Sequence, residues 1–521
     1  MSNLNLKHLL DESGLIEPNQ PKKIGEFIGI ASVGYRAVPE ILLLELFRVF
    51  FRPDAITKPN ETRELYPDMV DEDNQPLFSN EERAVISAIS GRAKARGPNK
   101  ERHYYAPAYP SLARHAWLRK QAERLITQLL FRGAFAQHLW ANSPEQSAQT
   151  LQKDSVEKML VAFKGSLRKQ GDAKTQIDIL AATLGNSYDG IDDEFAREQL
   201  LDWTSKRNEF LESTPDAQAS RIFDDFMSIC ELENRVPRIL WLQLLMTFLR
   251  FSLPMWYLAQ MRFTTLVHKW ILDAMDHSVC LNNDRIVAAL GNKHQTLIRP
   301  TLTPTNSIDA QIVEYAKHRV ELRILLHCLC QLDPSTFQNK TISLTKVGSE
   351  LITLSDLLLK ARDATPKLRA QQEFATAPSV GSFLARCSEQ YSLYRNPLGN
   401  GQGKNIREFL RVLQKGDSGD AAGGYLLVGQ GKNNQRSYRV FPGQVLLQTI
   451  AFLAARAKQT GEVTGGGQLV LRDIEDHFKA YGVDFAVSAD ARPLLMEQLQ
   501  VLGLLSGSPD AGSSVAVTCP F

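Results

Sequence analysis

Ten basic side chains crowd into residues 92–132: Arg92, Lys94, Arg96, Lys100, Arg102, Arg114, Arg119, Lys120, Arg124 and Arg132. Only Glu101 and Glu123 oppose them. Guanidinium and ammonium groups at this density neutralise phosphates and release counterions, the main source of sequence-independent affinity for nucleic acid. The first part, GRAKARGPNKERHYY (91–105), is a glycine- and proline-containing loop with Tyr104 and Tyr105 beside it, rings on which unpaired bases can stack. Arg119, Lys120 and Arg124 continue the positive face onto the helix that follows. Arg92, Lys94, Arg96, Lys100, Arg102, Arg114, Arg119, Lys120 and Arg124 are therefore the candidate nucleic-acid-binding residues, for DNA or RNA. The competing reading is a solvated face, or one that meets an acidic surface. Residues 189–233, with thirteen acids against four bases, offer such a surface within the same chain.

A second, weaker basic patch comprises Lys404, Arg407, Arg411, Lys415, Lys432, Arg436 and Arg439. Its polar, glycine-rich tip, GQGKNNQRSYR, has the character of a partner-touching loop. An ordinary exposed turn accounts for it slightly better.

Catalytic arrangements are scarce. A phosphate-binding loop needs G-x-x-x-x-G-K-[ST] between a strand and a helix. Gly403-Lys404-Asn405 and Gly431-Lys432-Asn433 both lack the first glycine, replaced by Leu398 and Leu426, and both have Asn in place of the hydroxyl. His327, Cys328 and Cys330 are close in sequence, but no second Cys/His pair stands at zinc spacing, so they are expected in the core. His477 follows Glu475 and Asp476 without forming H-E-x-x-H. Asp172-Ala173-Lys174 matches the tail of a metal-nuclease signature, but in a segment that reads as helix. There is no G-x-S-x-G and no G-x-G-x-x-G after a strand. No catalytic residue, metal ligand, cofactor or small-molecule substrate is assigned.

These residues must be carried by a chain of 521 residues, long enough for about three to four domains. With 43% apolar and 23% charged residues, it has the composition of a globular protein with a real core. Sixty basic against fifty-eight acidic residues leave +2, so no global field points to a partner. The six cysteines are scattered without a C-x-x-C pair, which fits free thiols in a reducing compartment. Residues 1–14 carry Lys7, Asp11 and Glu12 and no apolar run of a secretory kind. The most apolar stretch, Ile239–Met261, is split by Arg250 into two runs of eleven and interrupted by Pro254. Each run is shorter than the roughly 20 residues of a membrane span, so the stretch is expected as the buried centre of a helical core. A cytoplasmic protein with no membrane partner is the expectation.

The hydrophobic spacing is helical over most of residues 22–415. It predicts helices at 39–51, about 218–232, 307–332 and 341–362, the last beginning with β-branched residues. Pro254 is expected to divide 237–276 into a pair, 237–252 and 254–276. Polar residues 141–154 and glycine-rich residues 396–405 and 416–424 suggest three domains. These are a helical 1–150 with the basic loop, a central helical 151–400 with the apolar pair, and a C-terminal 401–521.

The last of these is the most legible. Residues 425–429 (YLLVG) and 437–441 (SYRVF) predict a hairpin. Helices follow at about 443–458 and 469–481, and a third starts from Ser488 as N-cap. A strand, the turn at Ser508-Pro509-Asp510-Ala511-Gly512 and a second strand close the chain. Three helices and a two-stranded ribbon resemble a winged-helix domain in element order. The fold class is thus mainly α, a multi-helical body with a C-terminal winged-helix-like (α+β) domain. A DNA-reading winged helix needs cations on its third helix and wing. Here Arg492 is accompanied by Asp490 and Glu497, the wing holds Asp510, and residues 445–521 carry five bases against eight acids.

The combination resembles accessory subunits of bacterial multi-protein phage-defence and restriction operons. That resemblance implies a non-catalytic scaffold or adaptor, touching DNA or RNA backbone through the basic patch and partner proteins through the winged-helix-like domain. The alternatives are an autonomous winged-helix transcriptional regulator and an enzyme whose site is assembled from distant residues.

Overall fold

Apolar residues on every face of residues 239–261 favour a place out of water for that segment, in a protein core or a membrane. The computed structural model, which describes chiefly residues 39–51 and, with breaks of eight residues or fewer, 217–521, puts it in a protein core. The described elements are mostly helical, in agreement with the periodicity. They are α1 (Pro39–Phe51), α2 (Ala217–Glu231), α3 (Arg238–His277), α4 (Asn283–Gly291), β1 (Thr301–Leu302), α5 (Ile308–Leu332), β2 (Thr341–Ser343) and β3 (Leu351–Thr353). After them come α6 (Leu354–Arg369), α7 (Val380–Glu389), α8 (Gly401–Leu410), β4 (Leu427–Gln430), β5 (Ser437–Val440), α9 (Gln444–Gln459), α10 (Leu471–Ala480) and α11 (Ala491–Val501).

The expected helix pair at 237–276 is a single helix. α3 runs 40 residues straight through Pro254, roughly 60 Å at about 1.5 Å per residue. A mid-helix proline forfeits one backbone hydrogen bond and costs about 3 kcal/mol. Each buried Leu or Phe around it returns about 1.5–3 kcal/mol, and every residue from Thr247 to Met261 is buried, so packing wins. Arg250 does not divide the segment either. Its Nε and Nη2 donate to the carbonyls of Val412 and Gln414 at 2.5 and 2.7 Å, capping the 3-10 turn that follows α8. Among the described residues, α3 alone is long and apolar enough to cross a membrane, and 78% of its most apolar stretch is buried against protein.

Two cores share this helix. The first gathers α1, α2, the N-terminal part of α3 up to Met261, the start of α5, and α8 to α11. The second takes over at Phe263 and packs Val267, Trp270, Ile271 and Ala274 against α5, α6 and α7. Side-chain caps start the partner helices. Ser307 Oγ accepts the Ala310 N–H at 3.2 Å and caps α5. Thr353 Oγ1 accepts the Asp356 N–H at 3.1 Å and caps α6.

The hairpin forms as expected, with β4 antiparallel to β5 in the register Leu427↔Val440 and Gln430↔Ser437. β1 adds to its other edge, giving the order β1-β5-β4. β2 and β3 pair in parallel ahead of α6, so the β-branched start of 341–362 is strand rather than helix. α11 begins after Asp490, which makes no side-chain cap, instead of running from Ser488. Beyond it, the Ser506 N–H donates to Ala516, the Thr518 N–H to Leu504, the Val517 N–H to Leu469 and the Leu471 N–H to Val515. Residues 515–518 thus lie between 504–506 and 469–471 as a small antiparallel ribbon.

Candidate functional site

The nine predicted nucleic-acid-binding residues, Arg92 to Arg124, lie outside the described residues, as does Asp172-Ala173-Lys174. The second basic patch is largely spent on intramolecular contacts. Arg407 pairs with Asp309 at 2.9 Å and Arg411 with Glu408 at 2.9 Å. Lys415 stands over the Tyr425 ring and Arg439 over Phe441. Lys432 and Arg436 lie outside the described residues. Gly403-Lys404-Asn405 is inside α8, where no strand-to-helix turn can cradle a phosphate.

On α11 the arginine and one of the two glutamines are also occupied. Arg492 makes a two-pronged pair with Glu475 of α10, Nε to Oε1 at 2.6 Å and Nη2 to Oε2 at 2.9 Å. Gln498 Nε2 donates to the Pro442 carbonyl at 2.7 Å. The face left outward is Pro493, Glu497, Gln500 and Val501. Val501 is 74% exposed.

Two buried histidine clusters lie deeper. In the first core, Asp225 Oδ2 of α2 accepts from Tyr481 Oη at 2.7 Å and faces His477 Nε2 at 2.9 Å. Burial and the neighbouring Asp225 push the Tyr481 hydroxyl well above its ordinary pKa, so it stays a donor. Its ring packs on Phe248 and Phe251 of α3. Gly482 follows with φ 92°, and a Cβ there would stand 2.4 Å from the His294 carbonyl, so only glycine closes this turn. The arrangement locks α2 to α10 and is sealed from solvent.

In the second core, His268 of α3 and His318 and Glu321 of α5 come together. The histidine rings stack with centroids 4.2 Å apart, and His268 Nε2 lies 2.8 Å from Glu321 Oε2. That contact lacks hydrogen-bond geometry, which leaves a buried nitrogen without a hydrogen-bond partner. Glu321 Oε1 takes a bond from Ser388 Oγ at 3.3 Å and has Lys317 Nζ 4.0 Å away. His318 Nδ1 meets Thr265 Oγ1 at 3.3 Å. Burial, then His268 and Lys317, lower the His318 pKa to about 3, so the ring is neutral. Thr265 also lines a cleft of about 340 Å³ with Arg262, Arg299, Gln311 and Glu314. Thr296 at its rim holds a left-handed φ of 49°.

Sequence reasoning did not single out this cluster. His268 and His318 stand fifty positions apart, and the one local signal was the His318-x-x-Glu321 spacing, which places both on one face of a helix. Cys328 is buried in the second core, as expected, whereas His327 beside it is only half-buried.

The chain matches no protein-family model, no curated protein and no solved structure.

Proposed function

We propose that the protein is a non-catalytic scaffold or adaptor subunit of a larger bacterial assembly acting on DNA or RNA. In this reading the 92–124 patch holds nucleic-acid backbone, and the C-terminal unit, a winged helix, docks a partner protein. The order of α9, α10, α11 and a ribbon whose last strand lies between the other two supports the winged-helix assignment. The observation that carries the docking role is the outward face of α11, which presents Pro493, Glu497, Gln500 and Val501 and no cation. A helix inserted in a major groove needs Arg, Lys, Asn or Gln aimed at base edges and positive charge for the phosphates. Here the one arginine of α11 is committed to Glu475.

Fluorescence anisotropy of the full chain with labelled duplex and single-stranded DNA, from about 50 to about 300 mM salt, tests the reading. Binding should weaken steeply with salt and vanish when Arg92, Lys94 and Arg96 are changed together to Glu. Gln500→Glu, on the outward face of α11, should leave it unchanged. No binding at low salt, or loss through Gln500→Glu with the triple variant still binding, overturns the nucleic-acid half of the proposal.

A further inference from the structure

We propose that His268, His318 and Glu321 form a binding site for one divalent transition-metal cation of the zinc class, which clamps α3 to α5. One ligand atom from each residue already lies within 4.8 Å of the other two. Zinc–nitrogen and zinc–oxygen bonds of about 2.0–2.2 Å hold their donors roughly 3.4 Å apart, so closing the site takes side-chain shifts on the order of 1 Å and a rotation of one stacked imidazole, so that the ion lies in the plane of both rings. Two imidazoles and one carboxylate are a ligand set that zinc takes with a fourth position left for water. The same donors suit magnesium or calcium poorly, since those ions take oxygen.

Two further observations point to a ligand. His268 is 95% buried, and its Nε2 faces Glu321 without completing a hydrogen bond. A buried polar nitrogen is normally satisfied, so an unsatisfied one facing a carboxylate, with a second imidazole stacked beside it, marks a place for a shared cation. The outer contacts are also those a metal site needs. Ser388 Oγ stands 3.3 Å from Glu321 Oε1, the oxygen other than the one facing His268, and 2.9 Å from the Ala385 carbonyl, so its single proton is shared between the two acceptors. Thr265 Oγ1 engages His318 Nδ1, which in the tautomer donating from Nδ1 leaves the free lone pair on Nε2. Such partners orient ligands and fix tautomers. Lys317 is the competing cation; its side chain is 40% exposed and its ammonium stands 4.0 Å from Glu321 Oε1, a longer approach than the 2.8 Å of His268 Nε2 to Oε2. This inference does not depend on the scaffold reading.

The test uses the full chain, stripped with a chelator, dialysed and titrated with Zn²⁺ or Co²⁺. Wild type should retain one zinc per chain by mass spectrometry, and Co²⁺ should give the visible bands of a low-coordinate nitrogen–oxygen site. Glu321→Gln and His318→Asn, close in shape to the native residues, should each abolish the bands and the retained zinc. Thr265→Val should weaken binding by roughly 10–100-fold, the usual effect of losing an outer-shell partner. His327→Ala, outside the cluster on the same helix, should bind as wild type does. Wild-type protein that takes up neither ion, or bands that survive in both Glu321→Gln and His318→Asn, overturns the assignment. The wild-type titration decides even if a variant fails to fold.

Discussion

Each of the two cores buries one histidine against one carboxylate, and the two pairs are built differently. In the first core, Asp225 Oδ2 takes the Tyr481 hydroxyl and the His477 nitrogen at 2.7 and 2.9 Å. In the second, His268 and Glu321 approach to 2.8 Å with the angles wrong, while a second imidazole stacks alongside. Both pairs tie distant segments together, α2 to α10 in one case and α3 to α5 in the other. The satisfied pair completes itself and needs nothing more from solution. The second pair leaves a buried imidazole nitrogen without a hydrogen-bond partner, beside a second imidazole. Proximity of histidine to carboxylate therefore says little about role, whereas the angles and the remaining partners separate a lock from a receptor.

Four substitutions probe this contrast, in order of decreasing effect. Asp225→Ala removes the acceptor of two buried groups and should cost about 3–4 kcal/mol in urea unfolding. Tyr481→Phe deletes one donor to that carboxylate and should cost about 1.5–2 kcal/mol by the same measurement. Glu321→Gln in metal-free protein keeps the Ser388 acceptor and loses no true hydrogen bond to His268, so it should stay within about 1 kcal/mol of wild type. A cost there as large as that of Tyr481→Phe would erase the distinction between the pairs. Arg456→Ala breaks an ion pair with half-exposed Glu231 at the protein surface. It should change thermal unfolding by no more than about 0.5 kcal/mol and so sets the scale for an exposed pair.

Much of the helical framework was readable because its causes are local. Ser307 and Pro39 stand at or next to helix starts, the apolar spacing along 308–332 is helical, and the short β-like runs on either side of Gly431-Lys432 are joined by turn residues. Pro254 was misread because a proline rule weighs one backbone bond, and the sequence does not show that the fourteen residues flanking it from Thr247 to Met261 will all be buried. The ribbon was anticipated as two strands at the chain end, but its third edge, residues 469–471, is added by tertiary pairing. The histidine clusters were hidden for the same reason. Asp225 meets His477 across 252 positions, and only folding brings them together. His318-x-x-Glu321 carried a trace of the second cluster, yet that spacing is common on helices and gains meaning only when His268 arrives from α3.

The helix shared by both cores also limits how this gene can drift. One residue inserted into α3 between Met261 and Phe263 would turn everything beyond it by about 100° and advance it by about 1.5 Å. Trp270, Ile271 and Ala274 would swing away from α5 and α6 while the first core stayed in place. Substitutions of similar size can be absorbed along this segment, but changes of length cannot. Among homologous chains, insertions and deletions should therefore collect in the connections between helices, and the count of residues from Trp241 to Met275 should stay constant.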